Sequence, residues 1–244
     1  MKEVVEHHLS TLTIARAIKH HVFRPREAMV IERRDWGNFF ARRRAGRLGL
    51  REYFFKGRMV SGALVPDWAD LTNMYDIVRE RRPQVVVEIG GGCSTIVIAH
   101  ALAENVKEGG TEGRIYSFDG SKFWQEELVA RFPDHLRNHV EFVVGHEEAR
   151  EIFGTQVRIC ANAENDAPPP NFLYVDGLDV VPDIKVGAEA IELEKAAPAD
   201  FFVLVDGRAP TVGFLKHHLA RNYEVRTHPL FHWTTFTPLL SNQP

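Results

Sequence analysis

The most informative stretch of the sequence is residues 85–95, which read VVVEIGGGCST. The β-branched run 85–89 predicts a buried strand, and a helix is predicted to begin near Ser94. The three glycines between them permit positive φ angles and let a ligand approach the backbone closely. The start of such a helix directs unpaired N–H groups and a positive dipole end at whatever lies there. A glycine-rich turn is a weak signal alone, but the strand before it and the helix after it supply the context that a binding site requires.

Short apolar runs continue to alternate with helical stretches along the rest of the chain. Further strands are predicted at 114–119, 140–144, 172–176 and 201–206, with a closing pair at 223–227 and 234–240. Helices are predicted at 67–81, 121–132, about 185–196 and 211–219. Strands separated by helices form βαβ units, so the sequence predicts an α/β fold with a doubly wound, mainly parallel sheet covered on both faces.

Four of the predicted strands end in an acidic residue that precedes a glycine, directly in three of them and with Ile89 between in the first. These acidic residues are Glu88, Asp119, Asp176 and Asp206. Ligands bind such sheets outside the carboxyl ends of the strands, so the four side chains are expected to converge on one crevice.

The residues of the first turn favour one class of nucleoside ligand. The dinucleotide fingerprint Gly-x-Gly-x-x-Gly is incomplete here, and Glu88 just ahead of it would repel a pyrophosphate. Asp119 lies where a carboxylate can accept hydrogen bonds from ribose hydroxyls. A ligand with an amine, a carboxylate and a ribose but no phosphate fits better than NAD, and S-adenosylmethionine is such a ligand. A nicotinamide-dependent oxidoreductase stays open as an alternative.

Together, segments 85–95, 115–119, 142–146 and 174–177 resemble the class I S-adenosylmethionine-dependent methyltransferases. The likeness covers about residues 60–240. It implies a Rossmann-like, seven-stranded sheet whose last strand is antiparallel, with S-adenosylmethionine as the cofactor. It also implies methyl transfer by in-line displacement to a small-molecule or glycan acceptor, through oxygen or nitrogen. The alternative is a non-catalytic methyltransferase-like binding or scaffold protein in a biosynthetic complex.

The resemblance assigns the cofactor to the turns that follow the first four strands. The residues expected to bind it are Glu88, Gly90, Gly91, Gly92, Ser94, Thr95, Asp119, Gly120, Ser121, Trp124, Gly145, His146, Glu147, Asp176 and Gly177. Residues 90–95 would hold the methionine part, with Glu88 orienting its amino group, while Asp119 would hold the ribose. Residues 145–147 would contact the adenine, and Asp176 would lie beside the reactive methyl group. Trp124 also suits the hydrophobic core, and His146 also suits a solvated loop.

Methyl transfer to a hydroxyl needs aligned reactants and a base. The candidate bases are Asp176, which is best placed, and the histidines His228 and His232. Arg208 could clamp an anionic group of the substrate. The predicted catalytic residues are Asp176, His232 and Arg208. Metal-dependent O-methyltransferases carry an Asp-Asn pair where this chain reads Asp206-Gly207-Arg208, so no metal is expected.

The charge of the chain is unevenly distributed. The 244 residues carry a net charge of −3, yet residues 1–60 hold 14 Lys and Arg against six Asp and Glu. Residues 1–60 are interpreted as a basic, helical extension with a helix at 9–22, and residues 61–244 as the methyltransferase domain. The arginines and interleaved aromatic residues of the extension could bind nucleic acid, an anionic membrane surface or an acidic substrate. Packing of the extension onto the acidic body is the favoured interpretation, and the acidic remainder argues against nucleic acid.

The cysteine count and the hydropathy of the sequence limit the cellular compartments in which the protein is expected. Cys93 and Cys160 are expected to be free thiols, because two cysteines cannot build a disulfide framework. No apolar stretch approaches the roughly 20 residues that a membrane-spanning helix needs. The first residues lack the pattern of a secretory signal. A cytoplasmic location is therefore expected, while a homo-oligomer remains open.

Overall fold

The centre of the computed structural model, which describes residues 38–54, 67–177, 184–228 and 233–239, is a seven-stranded sheet. Its strands are β1 (Val85–Ile89), β2 (Arg114–Asp119), β3 (Val140–Val144), β6 (Phe172–Val175), β7 (Phe202–Asp206), β8 (Tyr223–Thr227) and β9 (Trp233–Pro238), while the hairpin β4 (Glu147–Ile152) and β5 (Thr155–Cys160) lies outside it. The order across the sheet is β3-β2-β1-β6-β7-β9-β8. Strand β9 is antiparallel to both neighbours, and the other pairs are parallel. The predicted doubly wound, mainly parallel seven-stranded sheet is confirmed.

Hydrophobic side chains cover both faces of the sheet, because the inner strands are apolar at nearly every position. Along β1, Val86 belongs to one core cluster, whereas Val87 and Ile89 belong to the cluster on the other face. The same alternation places Phe172 in the first cluster and Leu173 in the second. Continuous apolar strands of this kind are typical of parallel sheets buried between two layers.

The described part of the chain contains eight α-helices, and one 3-10 helix at Asp134–His139 precedes β3. The α-helices are α1 (38–47), α2 (Arg51–Phe54), α3 (Trp68–Arg81), α4 (Cys93–Lys107), α5 (Lys122–Arg131), α6 (Ala163–Asp166), α7 (Glu189–Leu193) and α8 (Ala209–His218). The predicted start of α3 is confirmed, because the carboxylate of Asp67 accepts a hydrogen bond from the backbone N–H of Ala69 at 3.0 Å. This helix ends at Arg81, because the next residue, Arg82, has a φ of 48° and is followed by Pro83.

The described part of the basic extension packs on the same layer as α3 and α4. Leu50 and Phe54 are buried within that core cluster, and the Tyr53 hydroxyl lies 3.0 Å from Nδ1 of His100. Phe39 and Phe40 are instead 47% and 61% exposed. Packing therefore explains only some of the aromatic residues of the extension. The helix predicted at 9–22 and the boundary at residue 60 lie outside the described residues, so the division into two parts stays a prediction.

The apolar pattern of helix α5 predicts that Trp124, Leu128 and Val129 face inward. Leu128 does pack against the core cluster that contains Val86, whereas Trp124 and Val129 belong to neither described core cluster. All three side chains are half-buried, and Gln125 is the residue of this helix that is buried. The Gln125 amide donates to the carbonyl oxygens of Ser117 and Val143. At this end of the sheet a polar donor is needed for strand carbonyls that would otherwise be buried without a partner.

The hairpin β4–β5 was not anticipated from the sequence. Phe153 and Gly154 form its two-residue turn with φ angles of 51° and 73°, as a type I′ turn requires. A phenylalanine at positive φ is uncommon, so the turn carries no ordinary sequence signal. The expected loop after it contains the short helix α6, and the helix expected at 185–196 is shortened to Glu189–Leu193. Within the described ranges, no helix is long and apolar enough to cross a membrane.

Candidate functional site

The turn after β1 and the turn after β6 touch through two glycines. Gly90 has a φ of 98°, and a β carbon built on it would lie 2.0 Å from the Cα atom of Gly177. A β carbon on Gly177 would likewise lie 1.9 Å from the Cα atom of Gly90. Both positions therefore require glycine, because only then can the backbones of the two turns approach each other.

Glu88 is fully buried beneath the first turn. Its carboxylate accepts hydrogen bonds from the hydroxyls of Ser94 at 2.6 Å, Thr95 at 2.6 Å and Ser117 at 2.8 Å. Burial raises the pKa of Glu88 to about 7, and the three hydroxyl donors oppose that rise. The hydroxyls of Ser94 and Thr95 thus donate to Glu88 within the protein. The predicted roles of Glu88, Ser94 and Thr95 toward a cofactor stay predictions.

The open side of the turn lies at Gly92, where α4 begins. No atom lies within 4 Å of the position that a β carbon on Gly92 would occupy. The start of α4 has no side-chain cap, although the Gly92 N–H donates to the Thr95 hydroxyl at 2.9 Å. The N–H groups at the start of this helix therefore face a space that the absence of a side chain keeps free.

Asp119 ends the neighbouring strand at the same level of the sheet. The register pairs Ile89 with Phe118, so Asp119 stands beside Gly90. Its Oδ1 atom accepts a hydrogen bond from the backbone N–H of Ser121 at 2.7 Å, and the Ser121 hydroxyl caps helix α5. The structure thus brings Asp119 and the glycine turn to one edge, with Glu88 beneath them.

The residues that follow β3 form the next part of this edge. Gly145 donates its N–H to the carbonyl oxygen of Asp119 at 2.7 Å. His146 is exposed and donates its backbone N–H to Asn162. The Glu147 carboxylate lies against Gly120 and forms an ion pair with Arg158, which is buried.

The ends of β6 and β7 bring two carboxylates and a tyrosine together. The Tyr174 hydroxyl donates a hydrogen bond to Oδ2 of Asp206 at 3.4 Å. Burial and the neighbouring carboxylates raise the pKa of Tyr174 well above its ordinary value. Arg208 donates from Nε to the carbonyl oxygen of Asp176 at 3.1 Å. Asp176 is exposed at the surface, where partial desolvation raises the pKa of its carboxyl group and the charge of Arg208 opposes the rise.

Of the two histidines predicted as candidate bases, only His228 lies within the described residues. The His228 ring stacks on Trp233 with ring centroids 5.1 Å apart, and burial lowers its pKa. His232 lies outside the described residues. Among the residues that are described, no three His, Cys, Asp or Glu side chains are grouped to hold a metal ion. The expected absence of a metal stays a prediction.

Comparison with known proteins points to one fold. No protein-family model and no curated protein matches the sequence. A methyltransferase from Geobacter sulfurreducens is similar in structure, with a TM-score of 0.50 and 16% sequence identity over 72% of this chain and 81% of that chain. The chain has the class I methyltransferase fold. The O-methyltransferase TomG from Streptomyces achromogenes, solved in complex with SAM, also matches, with a TM-score of 0.46 and 16% identity over 81% of this chain and 89% of that chain.

In this methyltransferase fold, the site has one feature that sequence reasoning missed. The ion pair of Arg158 and Glu147 depends on the hairpin, which was not predicted. The one available signal was the lone charge of Arg158 between apolar neighbours in the segment 157–160. The predicted border residue Trp124 is half-buried and packs edge-to-face on Phe123, with centroids 5.1 Å apart.

Proposed function

We propose that this protein is an S-adenosylmethionine-dependent methyltransferase that acts on a small-molecule or glycan acceptor, through oxygen or nitrogen. The observation that carries the proposal is the meeting of the open glycine turn and Asp119 at the carboxyl ends of β1 and β2. This edge lies where open α/β sheets bind nucleosides. The structural similarity to a methyltransferase supports the same class of activity.

The residues at this edge fit the parts of S-adenosylmethionine. The space over Gly92 and the N–H groups at the start of α4 suit its methionine carboxylate. Asp119 is placed to accept hydrogen bonds from the ribose hydroxyls. Gly145 and the ion pair of Glu147 with Arg158 would border the adenine, as the turn after β3 was predicted to do.

The charge around the ends of β6 and β7 suits a cationic ligand. Asp176 and Asp206 flank the Tyr174 hydroxyl, and Glu88 is close enough to add to the raised pKa of that tyrosine. A sulfonium is a cation, so these carboxylates would favour its binding. When bound, S-adenosylmethionine supplies a methyl group that is open to displacement. The protein then has to align the acceptor and take its proton.

Asp176 is the proposed base for a hydroxyl or ammonium acceptor. Its raised pKa makes it a stronger base than an ordinary aspartate, closer to the value that proton transfer near neutral pH requires. Arg208 holds the backbone of Asp176 through its carbonyl oxygen, so we assign Arg208 a positioning role. His232 stays a predicted catalytic residue.

Calorimetric titration of the full chain with S-adenosylmethionine, S-adenosylhomocysteine and NAD tests the proposal. Binding of the first two without NAD is the expected result. Binding of NAD alone would favour an oxidoreductase and overturn it. A screen for transfer of a labelled methyl group to cell-extract components then separates an enzyme from a non-catalytic scaffold, which would bind the cofactor without transfer.

The role of Asp176 has its own test within that screen. Asp176→Asn keeps the size of the side chain but removes the base, so transfer is expected to fall by roughly 100-fold or more while the affinity for S-adenosylhomocysteine is kept. Asp134→Asn is the matched control, because Asp134 is exposed on the turn before β3. Full transfer by Asp176→Asn would remove Asp176 as the base.

A further inference from the structure

A groove of about 660 Å³ lies between α1 and α3. Its described lining includes Phe40, Arg43, Arg44, Arg47, Thr72 and Asn73. Every charged residue among the described lining residues is an arginine. Its volume falls in the range of small-molecule pockets.

The three arginines share one face of α1. Positions 40, 43, 44 and 47 follow the spacing of a single helical face, while Ala45 and Leu50 are buried in the core. Arg44 forms a two-pronged ion pair with the carboxylate of Asp76, which raises the pKa of Arg44. The Arg43 guanidinium lies over the ring of Phe39, 4.9 Å from its centroid.

Arg43 and Arg47 have no counter-charge in the described part of the chain. Within those residues neither side chain forms an ion pair with a carboxylate or a hydrogen bond. Like charges four residues apart on a helix repel each other, so this arrangement costs stability that a bound anion would return. Two guanidinium groups also present forked N–H donors, whose geometry matches the oxygens of a phosphate.

Asn73 connects this groove to the ends of the strands. It also lines a much smaller cavity whose other walls include Tyr174, Asp206 and Trp233. Its side chain makes no hydrogen bond within the described residues. An anionic group held by Arg43 and Arg47 would therefore lie one helix away from the residues proposed to act on the acceptor.

We propose that this groove binds a phosphate-type anionic group carried by the acceptor, a claim that rests on the proposed methyltransferase function. Three arginines and one carboxylate leave an excess of positive charge that a dianion matches better than a single carboxylate. The site is an open groove whose volume of about 660 Å³ matches a small molecule, so a small acceptor is proposed rather than an extended polyanion such as RNA or a lipid surface.

Titration of the full chain with inorganic pyrophosphate at constant ionic strength tests this site. Arg43→Gln/Arg47→Gln is expected to weaken binding by about ten-fold or more, since charge-assisted hydrogen bonds are lost. Arg42→Gln is the matched control, because Arg42 is exposed on the same helix and does not line the groove. Its affinity for pyrophosphate is expected to stay within about two-fold of the parent value. Thermal unfolding checks that all variants fold.

Several results would overturn the site. The proposed anion site is contradicted if pyrophosphate does not bind. It is also contradicted if binding weakens equally in Arg42→Gln and in the double variant. Arginine-dependent binding to anionic lipid vesicles or single-stranded RNA, without pyrophosphate binding, would assign the surface to those partners instead.

Titration with S-adenosylhomocysteine on the same samples separates the two proposals. If S-adenosylhomocysteine binds and pyrophosphate does not, the anion site fails and the proposed function stands. If pyrophosphate binds through the arginines and S-adenosylhomocysteine does not, the methyltransferase function fails and the assignment of the anion to an acceptor falls with it.

Discussion

The Glu88 carboxylate faces three hydroxyls and lies below the glycine turn. Its position two residues before Gly90 in the sequence indicates a ligand-binding role, and the sequence alone cannot tell which side of the turn the Glu88 side chain occupies. The surrounding Ser94, Thr95 and Ser117 come from α4 and β2, so their hydrogen bonds tie β1 to both elements. This arrangement makes Glu88 a positioning residue for the turn.

Glu88→Gln is expected to change how stability depends on pH. The pKa of Glu88 is about 7 in the folded protein and near 4.5 when unfolded, so the folded state keeps a proton that the unfolded state releases. Stability therefore falls as pH rises between these values and is constant above them. Relative to the parent, the variant should gain roughly 3 kcal/mol in the free energy of unfolding between pH 4.5 and 7.

Urea unfolding at several pH values measures this difference. Burial also raises the pKa of Glu189 to about 7, so the free energy of unfolding of the variant still depends on pH. The control is Glu164→Gln, which changes an exposed carboxylate on α6 and should leave the pH dependence as it is. Parallel stability curves for Glu88→Gln and the parent would contradict a proton held on Glu88.

Asp119→Asn is expected to weaken S-adenosylhomocysteine binding by about 10- to 100-fold, because a charged acceptor for the ribose hydroxyls is lost. The fold should be kept, since the asparagine oxygen can still accept from the Ser121 N–H. Calorimetric titration measures the affinity, with Asp134→Asn as the exposed control. An unchanged affinity for Asp119→Asn would place the ribose elsewhere.

At the scale of elements, the residues of the candidate site lie at the ends of the strands. The strands themselves could be predicted from the sequence. The buried runs at 85–89, 172–175 and 202–206 are apolar at nearly every position, so their pattern fixes both their burial and their parallel pairing. The hairpin was unreadable because β4 is polar, with the sequence EEAREI, and because its turn places Phe153 at positive φ. The ion pair of Glu147 with Arg158 could not be predicted for the same reason.

The two turns offer a matched pair of glycine substitutions. Gly177→Ala forces a β carbon into the backbone of Gly90, which cannot move without separating β1 from β6, so a loss of roughly 3 kcal/mol or more in stability is expected. Gly92→Ala places its β carbon in open space at a φ of 171°, so stability should stay within about 1 kcal/mol.

That added methyl group at Gly92 would occupy the proposed cofactor space. We therefore expect Gly92→Ala to lose S-adenosylhomocysteine affinity by about ten-fold or more while thermal unfolding shows an intact fold. Parent-like affinity in Gly92→Ala would mean that no ligand lies over this turn.

At the scale of the whole molecule, the plan of the sheet could be predicted from the sequence. Which side chains pack onto the layers that cover the sheet could not. The alternation of strands and helices predicted the βαβ plan, and the closing pair supplied the antiparallel β9. Whether Tyr53 and Phe54 pack while Phe39 and Phe40 stay exposed depends on contacts with α3 and α4, which are distant in sequence. The groove beside Arg43 and Arg47 arises from the same long-range packing.

Binding of S-adenosylhomocysteine should stabilise the folded chain, because its proposed contacts involve β1, β2 and α4, whose side chains share one hydrophobic core cluster. A ligand that binds only the folded state adds about 2.7 kcal/mol at 100 times its dissociation constant. For a chain of this size that gain corresponds to a rise of roughly 5–10 °C in the unfolding midpoint. Asp119→Asn at the same ligand concentration should show a smaller rise, and NAD should show none. A midpoint that stays constant at saturating S-adenosylhomocysteine would mean that the ligand does not bind the folded sheet.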